Sequence, residues 1–335
     1  MKLDAPDLAL APLIRVGADV SADYFDAAVQ VGEKLREGRF ARSKRGVNEM
    51  RNWLKAHGIL HVHLWVEATG HYSNELAEIA HARGWKVTIV NARCIRHFAI
   101  SQLNMNKTDK VDARKILMFA KSASELRFRP WSPKSDAHKQ LRDTQIEIIG
   151  LKKLIACEQN RLRSGITSVE VRESIQSTIS HLKAQLKLLR RESLRLIRSD
   201  WLLNRTYCVL KGIRGLGDVT IPLLLVRIDF DAFTKGRQLV KYAGLDVLKF
   251  ESGKSIRKRD RISRVGHSDL RAALYWPAVV AIRDDLATAT FAQAIEARSK
   301  SKMVAICAVM ARLLRIAFAK VREDRKAIPH LLATA

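Results

Sequence analysis

The chain has 335 residues, 47% of them hydrophobic, which suffices for a buried core in two or three domains and excludes a disordered tail. Its 60 Lys and Arg against 34 Asp and Glu leave a formal charge of +26, which points to a polyanionic partner and to nucleic acid first; ribosomal, nucleoid and membrane-surface proteins share that excess, so charge sets a class of partner and no chemistry. Cys94, Cys157, Cys208 and Cys307 are far apart and form no Cys-x-x-Cys pair, which indicates neither a zinc knuckle nor a disulfide framework and fits a reducing cytoplasm.

The N-terminus lacks the pattern of a signal peptide, and no apolar run reaches membrane-span length, so the expectation is a cytoplasmic protein with no membrane partner. Leu13 to Val20 and Tyr24 to Val31 read as two strands joined by a short turn, with a third at Gly38 to Arg42. A helix from about Arg45 to Ala56 follows, then a strand within His61 to Ala68, a helix from Tyr72 to Arg83 stopped by Gly84, a strand from Lys86 to Val90, and helical pattern to about Lys121. This order matches an α/β RNase H-like (RuvC-like) domain, and doubly wound folds differ from it only in how the first strands pair.

Pro130 and Pro133 mark a closing loop, after which the pattern is helical. Leu141, Ile148, Leu151, Ile155 and Leu162, then Ile175, Ile179, Leu182, Leu186, Leu189 and Leu196, step by threes and fours, with Ser193 interrupting the second seam. Two long helices turning near Arg163 to Ser168 predict a coiled-coil hairpin, either packed on its own chain or serving as an oligomerisation arm. Gly212-Ile-Arg-Gly-Leu-Gly217 resembles a helix-hairpin-helix turn, in which Gly215 and Gly217 let backbone amides approach a phosphate, although plain capping turns share the pattern. After Gly266 come three helix patterns, about Asp269 to Arg283, Thr288 to Ala297 and Met303 to Arg322, predicting a mainly α C-terminal domain. The expected domains are thus 1–130, 131–205 and 206–335.

Four acids sit where such a fold gathers them: Asp19 near the end of the first strand, Glu67 at the end of the fourth, and Asp109 and Asp112 three apart on a helix face. Asp19 and Glu67 interrupt apolar strands, where a charge is costly unless a cation accompanies it. Magnesium takes hard oxygen ligands, and two such ions suit phosphodiester cleavage. Each acid alone is equally well a strand end or a cap, and Asp23 and Asp26 compete for the first position.

From Lys249 to Arg264 the chain carries seven basic and two acidic residues. Lys254, Arg257, Lys258, Arg259, Arg261 and Arg264 suit a phosphate-rich partner, and Lys254, Arg257, Arg259 and Arg261 suit an activated serine hydroxyl. By composition Ser252, Ser255, Ser263 and Ser268 are equal candidates, and a merely solvated basic hairpin explains the segment as well. His267 reads as a helix cap, a phosphate contact or a proton carrier. His61 and His63 lack the partners of a zinc site.

Gly17-Ala-Asp-Val-Ser21, Glu67-Ala-Thr-Gly-His-Tyr72, Lys107-Thr-Asp-Lys-Val-Asp-Ala113 and Ser252-Gly-Lys254, in this order, resemble the Asp-Glu-Asp-Asp transposases of insertion-sequence family one hundred and ten, relatives of the pilin-gene invertase. Ala22 departs from the usual lysine, and the segment after Gly244-Leu245 lacks the usual proline. The resemblance implies a transposase or site-specific recombinase of a bacterial mobile element, with Asp19, Glu67, Asp109 and Asp112 holding Mg2+ and Ser252 as nucleophile, Ser263 being its main rival. It also implies donor and target double-stranded DNA and a bridge RNA guide. Because the acids and the serine lie at opposite ends of the chain with a coiled coil between them, a homo-oligomer, dimer or tetramer, with a site built in trans is expected, in a nucleoid-associated location. A water-using RuvC-like nuclease and an architectural nucleic-acid-binding protein remain the alternatives.

Overall fold

A computed structural model describes residues 13–102, 109–124, 128–252 and 256–328, with only the backbone described at 109–111, 249–252 and 256–259. The chain divides into two compact units, 1–133 and 134–335.

In the first unit, β1 (Ile14–Val20), β2 (Tyr24–Val31) and β3 (Lys34–Ala41) form an antiparallel meander. Helix α1 (Lys44–Ala56) leads to β4 (Val62–Glu67), α2 (His71–His81) and β5 (Lys86–Val90), and α3 (Ala92–Ser101) and α4 (Asp109–Ser122) follow. The sheet order is β3-β2-β1-β4-β5, with β1, β4 and β5 parallel and only β2 reversed between β1 and β3. That pairing separates an RNase H-like sheet from the doubly wound alternative.

The third strand starts four residues earlier than the pattern suggests. Gly32, at φ +59°, makes the tight turn that pairs Val31 with Lys34. As an edge strand largely open to solvent, Lys34 to Glu37 carries no apolar alternation to announce it.

Side chains alternate across the sheet. Val16, Ala18, Phe25, Ala27, Leu64 and Val66 meet α1 and α2 through Met50, Leu54, Leu76 and Ala77. On the opposite face Trp65 packs with Ile95 of α3 and Ile116 and Ala120 of α4, while Ala28 meets Ala113 and Leu117. Polar caps begin the helices: Ser43 Oγ accepts from Gly46 N and Asn91 Oδ1 from Arg93 N. The proline loop closes on this unit, with Trp131 N donating to Val87 O at 2.7 Å.

The second unit opens with the expected hairpin, α5 (Asp136–Arg163) and α6 (Val169–Ser199), capped by Ser135 and Ser168. The Ser193 interruption is a matched polar layer: buried Gln145 donates to Ser193 Oγ at 2.8 Å. Beyond it come α7 (Trp201–Lys211), α8 (Ile221–Arg227), α9 (Gly236–Tyr242), the hairpin β6 (Val247–Ser252) and β7 (Ile256–Ile262), and helices α10 (Ser268–Asp284), α11 (Leu286–Ser299) and α12 (Lys302–Lys326). The hairpin is not separate at its base, because Leu141, Leu196 and Ile197 join the core formed with Leu210, Leu224, Leu274 and Leu314. Among the described residues no helix is long and apolar enough to cross a membrane.

Candidate active site

The site is built at the carboxyl ends of β1 and β4. Their parallel register aligns Gly17 with Trp65 and Ala18 with Val66, so one further step sets Asp19 beside Glu67. Both are partly exposed. On the other side of β1, Asp19 stands opposite Asp26 of β2. Asp19 lies two residues beyond Gly17 and projects from the same face. That face is the one α4 covers, and Gly17 is why α4 comes so close: a Cβ there would fall 2.5 Å from Ala113 O and 2.9 Å from Leu117 Cα, and against Leu117 N. Gly17 therefore brings Asp112, the neighbour of Ala113, over the sheet at this end.

Asp112 is one-quarter exposed and pairs with Lys115 Nζ at 2.9 Å. Asp109 is the first residue of α4, and its side chain lies outside the described residues. Among the described residues no three His, Cys, Asp or Glu side chains are grouped to hold a metal ion. The acids that are described offer oxygen donors only, which suits a hard divalent cation better than a soft one.

Asp26, the competitor for the first position, is 4% exposed and already satisfied. Arg39 clamps it through two bonds of 2.9 Å, and the same guanidinium lies 4.0 Å over the Tyr24 ring. Arg39 and Lys115 are the cations that sequence reasoning missed. For Lys115 the i, i+3 spacing from Asp112 was the available signal; for Arg39 it was the cross-strand pairing with Asp26, visible only once β3 is extended back to Lys34.

In the second unit, Ser252 is the last residue of β6, paired in register with Ile256, and its side chain lies outside the described residues, as do Lys254 and Ser255. Arg257, Lys258 and Arg259 lie along β7, while Arg261 and Arg264 are exposed. Ser263 is in a different situation, since its hydroxyl donates to Asp246 Oδ1 and its amide to Asp246 O, fixing the foot of β7. That foot is clasped from below: Arg271 Nη1 donates to Ala243 O at 3.0 Å and Gly266 O at 2.9 Å. Gly244, at φ +70°, and Gly266 are the two close approaches here, with a Cβ on Gly266 falling 2.7 Å from Ala243 C. His267 sits against Tyr242, ring centroids 5.1 Å apart, and makes no side-chain cap. Burial, then the nearby Arg227, holds its pKa below 6.5.

The glycine turn after α7 splits its two residues. Gly215, at φ +91°, lies against α10, where a Cβ would meet Pro277 O, whereas a Cβ on Gly217 would meet nothing within 4 Å. Lys211 and the Tyr207 hydroxyl both donate to Asp218, and that pairing, Lys211 first, holds the Asp218 carboxyl below its ordinary value. The four cysteines are free.

The first unit thus belongs to the RNase H-like class, with carboxylates at the ends of its central parallel strands. Residues 16–170 match the model of an Asp-Glu-Asp-Asp (DEDD) transposase domain, and residues 208–293 match "Transposase IS116/IS110/IS902 family". The pilin gene-inverting proteins of Moraxella bovis and Moraxella lacunata are each 32% identical over 314 residues, spanning 92% of this chain and 96% of theirs. A solved structure described as T. thermophilus RuvC in complex with Holliday junction substrate aligns with 36% of this chain and all of its own, at 12% identity and a TM-score of 0.26, too low to weigh beside the strand order. The chain belongs to the IS110 family of transposases, and it is a DNA recombinase or transposase enzyme.

Proposed function

We propose that this transposase cuts and rejoins double-stranded donor and target DNA through a phosphoserine link at Ser252, with Mg2+ held by Asp19, Glu67, Asp109 and Asp112. The observation that carries this reading is the junction of β1, β4 and α4, where Gly17 admits a helix bearing Asp112 to the strand ends that carry Asp19 and Glu67. Magnesium, in one or two ions, supplies Lewis-acid activation of the attacking and leaving oxygens. The Ser252 hydroxyl attacks phosphorus: the Oγ–P bond forms, the bond from phosphorus to one deoxyribose oxygen breaks, the serine proton passes to solvent, and the departing oxygen takes a proton. Attack by another strand's hydroxyl reverses these steps and frees the serine, so no external energy source is required. Lys254, Arg257, Lys258, Arg259, Arg261 and Arg264 stabilise charge on the phosphate and its neighbours. Gly217 offers an open backbone position for a further phosphate contact, more so than Gly215, which α10 covers.

The reading extends to a bridge RNA that pairs with both DNA partners, to a homo-oligomer joined through the α5–α6 hairpin, and to work at the bacterial nucleoid. Ser252 is favoured over Ser263 by its place in the Ser252-Gly-Lys254 segment that resembles the family's motif, whereas the Ser263 hydroxyl donates to Asp246 at the foot of β7. The test is a denaturing gel of the protein with labelled donor and target DNA, guide RNA and magnesium. A protein-linked DNA band with wild type, absent with Ser252→Ala and retained with Ser263→Ala, is expected. A band that survives Ser252→Ala, or free cleaved ends with no linked species at any time, overturns the serine mechanism.

A further inference from the structure

The α5–α6 hairpin is not electrically uniform around its axis. Stepped at about 100° per residue, Lys183, Lys187 and Arg190 of α6 fall within about 60° of arc, roughly a quarter turn from the Ile175, Ile179 and Ser193 seam. Lys152 of α5 leans to the same side, because residues on matching flanks of antiparallel helices face one way. Glu147, Glu158 and Glu192 all fall on the other side of the seam. All four cations are exposed, and among the described residues none has an acidic partner. The acids nearest along the arm are used locally, Glu158 by Arg161 and Glu192 by Arg195. Lys152 is partly desolvated and stands near Arg190, and the two effects together lower its pKa. A fold that sets two cations side by side with no counterion leaves a position that an anion would stabilise.

We propose that this flank, formed by Lys152, Lys183, Lys187 and Arg190, is a docking surface for the sugar-phosphate backbone of duplex DNA. Seven residues of helix from Lys183 to Arg190 rise about 10 Å, and duplex DNA carries about six phosphates over that length, so the four cations offset roughly two-thirds of that charge. No base edge is read, so the surface adds affinity and orientation without sequence preference. It lies away from the serine segment in sequence, and the inference rests on the DNA-recombinase activity of the family rather than on the serine chemistry.

The test measures binding of the full chain to a labelled duplex of arbitrary sequence, without magnesium so that no cleavage occurs, over a series of salt concentrations. In one variant Lys152, Lys183, Lys187 and Arg190 are changed to Gln; in a control Lys139, Lys153, Arg161 and Arg195, on other faces of the same arm, are changed to Gln. Both lose four charges and keep good helix formers. The flank variant is expected to bind at least tenfold more weakly at physiological salt, with the slope of log affinity against log salt reduced by about 3, while the control stays within about threefold of wild type. Equal losses in the two variants overturn the proposal, because they reduce the effect to net charge. So does a flank variant whose binding to duplex DNA is unchanged, or one impaired only on duplex RNA. Circular dichroism confirms that both variants are folded, and Lys152→Gln with Arg190→Gln alone repeats the test with less perturbation. Formation of the Ser252 adduct by the flank variant at saturating DNA separates failure of this surface from failure of the serine mechanism.

Discussion

Gly17→Ala adds one methyl group where β1 and α4 touch. That methyl would fall 2.5 Å from Ala113 O and 2.9 Å from Leu117 Cα, both backbone atoms, so no side chain can swing aside. Contact between such atoms is normally about 3.5 Å, and α4 must withdraw by roughly 1 Å. Overpacking of this kind costs about 1–3 kcal/mol, equivalent to a fall of roughly 3–12 °C in the melting temperature of a unit this size. The larger effect falls on chemistry. A displacement of about 1 Å costs on the order of a hundredfold in rate when it moves a group that must meet the reacting atoms, and α4 carries Asp109 and Asp112. Melting, duplex binding and strand cleavage should be measured together, with cleavage expected to fall about a hundredfold while binding changes less than twofold. A Gly17→Ala protein that melts and cleaves like wild type would show that α4 needs no such close seat, and the argument for the acid cluster would fail with it.

Removing Arg39 leaves the carboxylate of Asp26 buried beside Asp19 with its clamp gone. Arg39→Ala is expected to cost about 2 kcal/mol, less than for a fully buried pair because Arg39 is half exposed, and Asp26→Asn in the same background should recover part of the loss in urea unfolding. Gly150→Ala, at an open position in mid-helix, should raise stability by about 0.5–1 kcal/mol in the same assay. His138 and His267 are both held below 6.5, chiefly by burial, with Lys134 and Arg227 adding to it. Their unfolded forms bind protons more readily than the folded ones, so the stability they confer is present above pH 6.5 and lost as the pH falls below it. A His138→Gln, His267→Gln variant should therefore lose less melting temperature between pH 7 and pH 5 than wild type does.

Much of the first unit was legible because its strands are bounded by turns and its helices by polar caps. Tyr24–Val31 and Lys86–Val90 fall where alternation and β-branched content place them. The start of β3 was hidden because an edge strand faces water and needs no apolar face. Asp19 and Glu67 were readable as charges stranded in apolar runs; the seating of α4 was not, since a glycine chosen for close approach looks like any other in one dimension. Asp26 presented the reverse difficulty, a buried acid whose partner lies thirteen residues away on a strand whose beginning was missed. The hairpin seam was plain in its threes and fours, whereas the union of its base with the following helices depends on which core Leu141 and Ile197 enter, and no heptad records that.

The clasp beneath β6 and β7 divides the segment into parts that tolerate change unequally. With Arg271 tying two carbonyls and two glycines leaving no space for a methyl group, the base is a fixed mount. Exposed cations carried on such a mount can be exchanged without disturbing the helices underneath. Engineers seeking altered substrate grip have their room at the exposed Arg261 and Arg264, and should leave Ser252, Ile262, Gly244, Gly266 and Arg271 untouched.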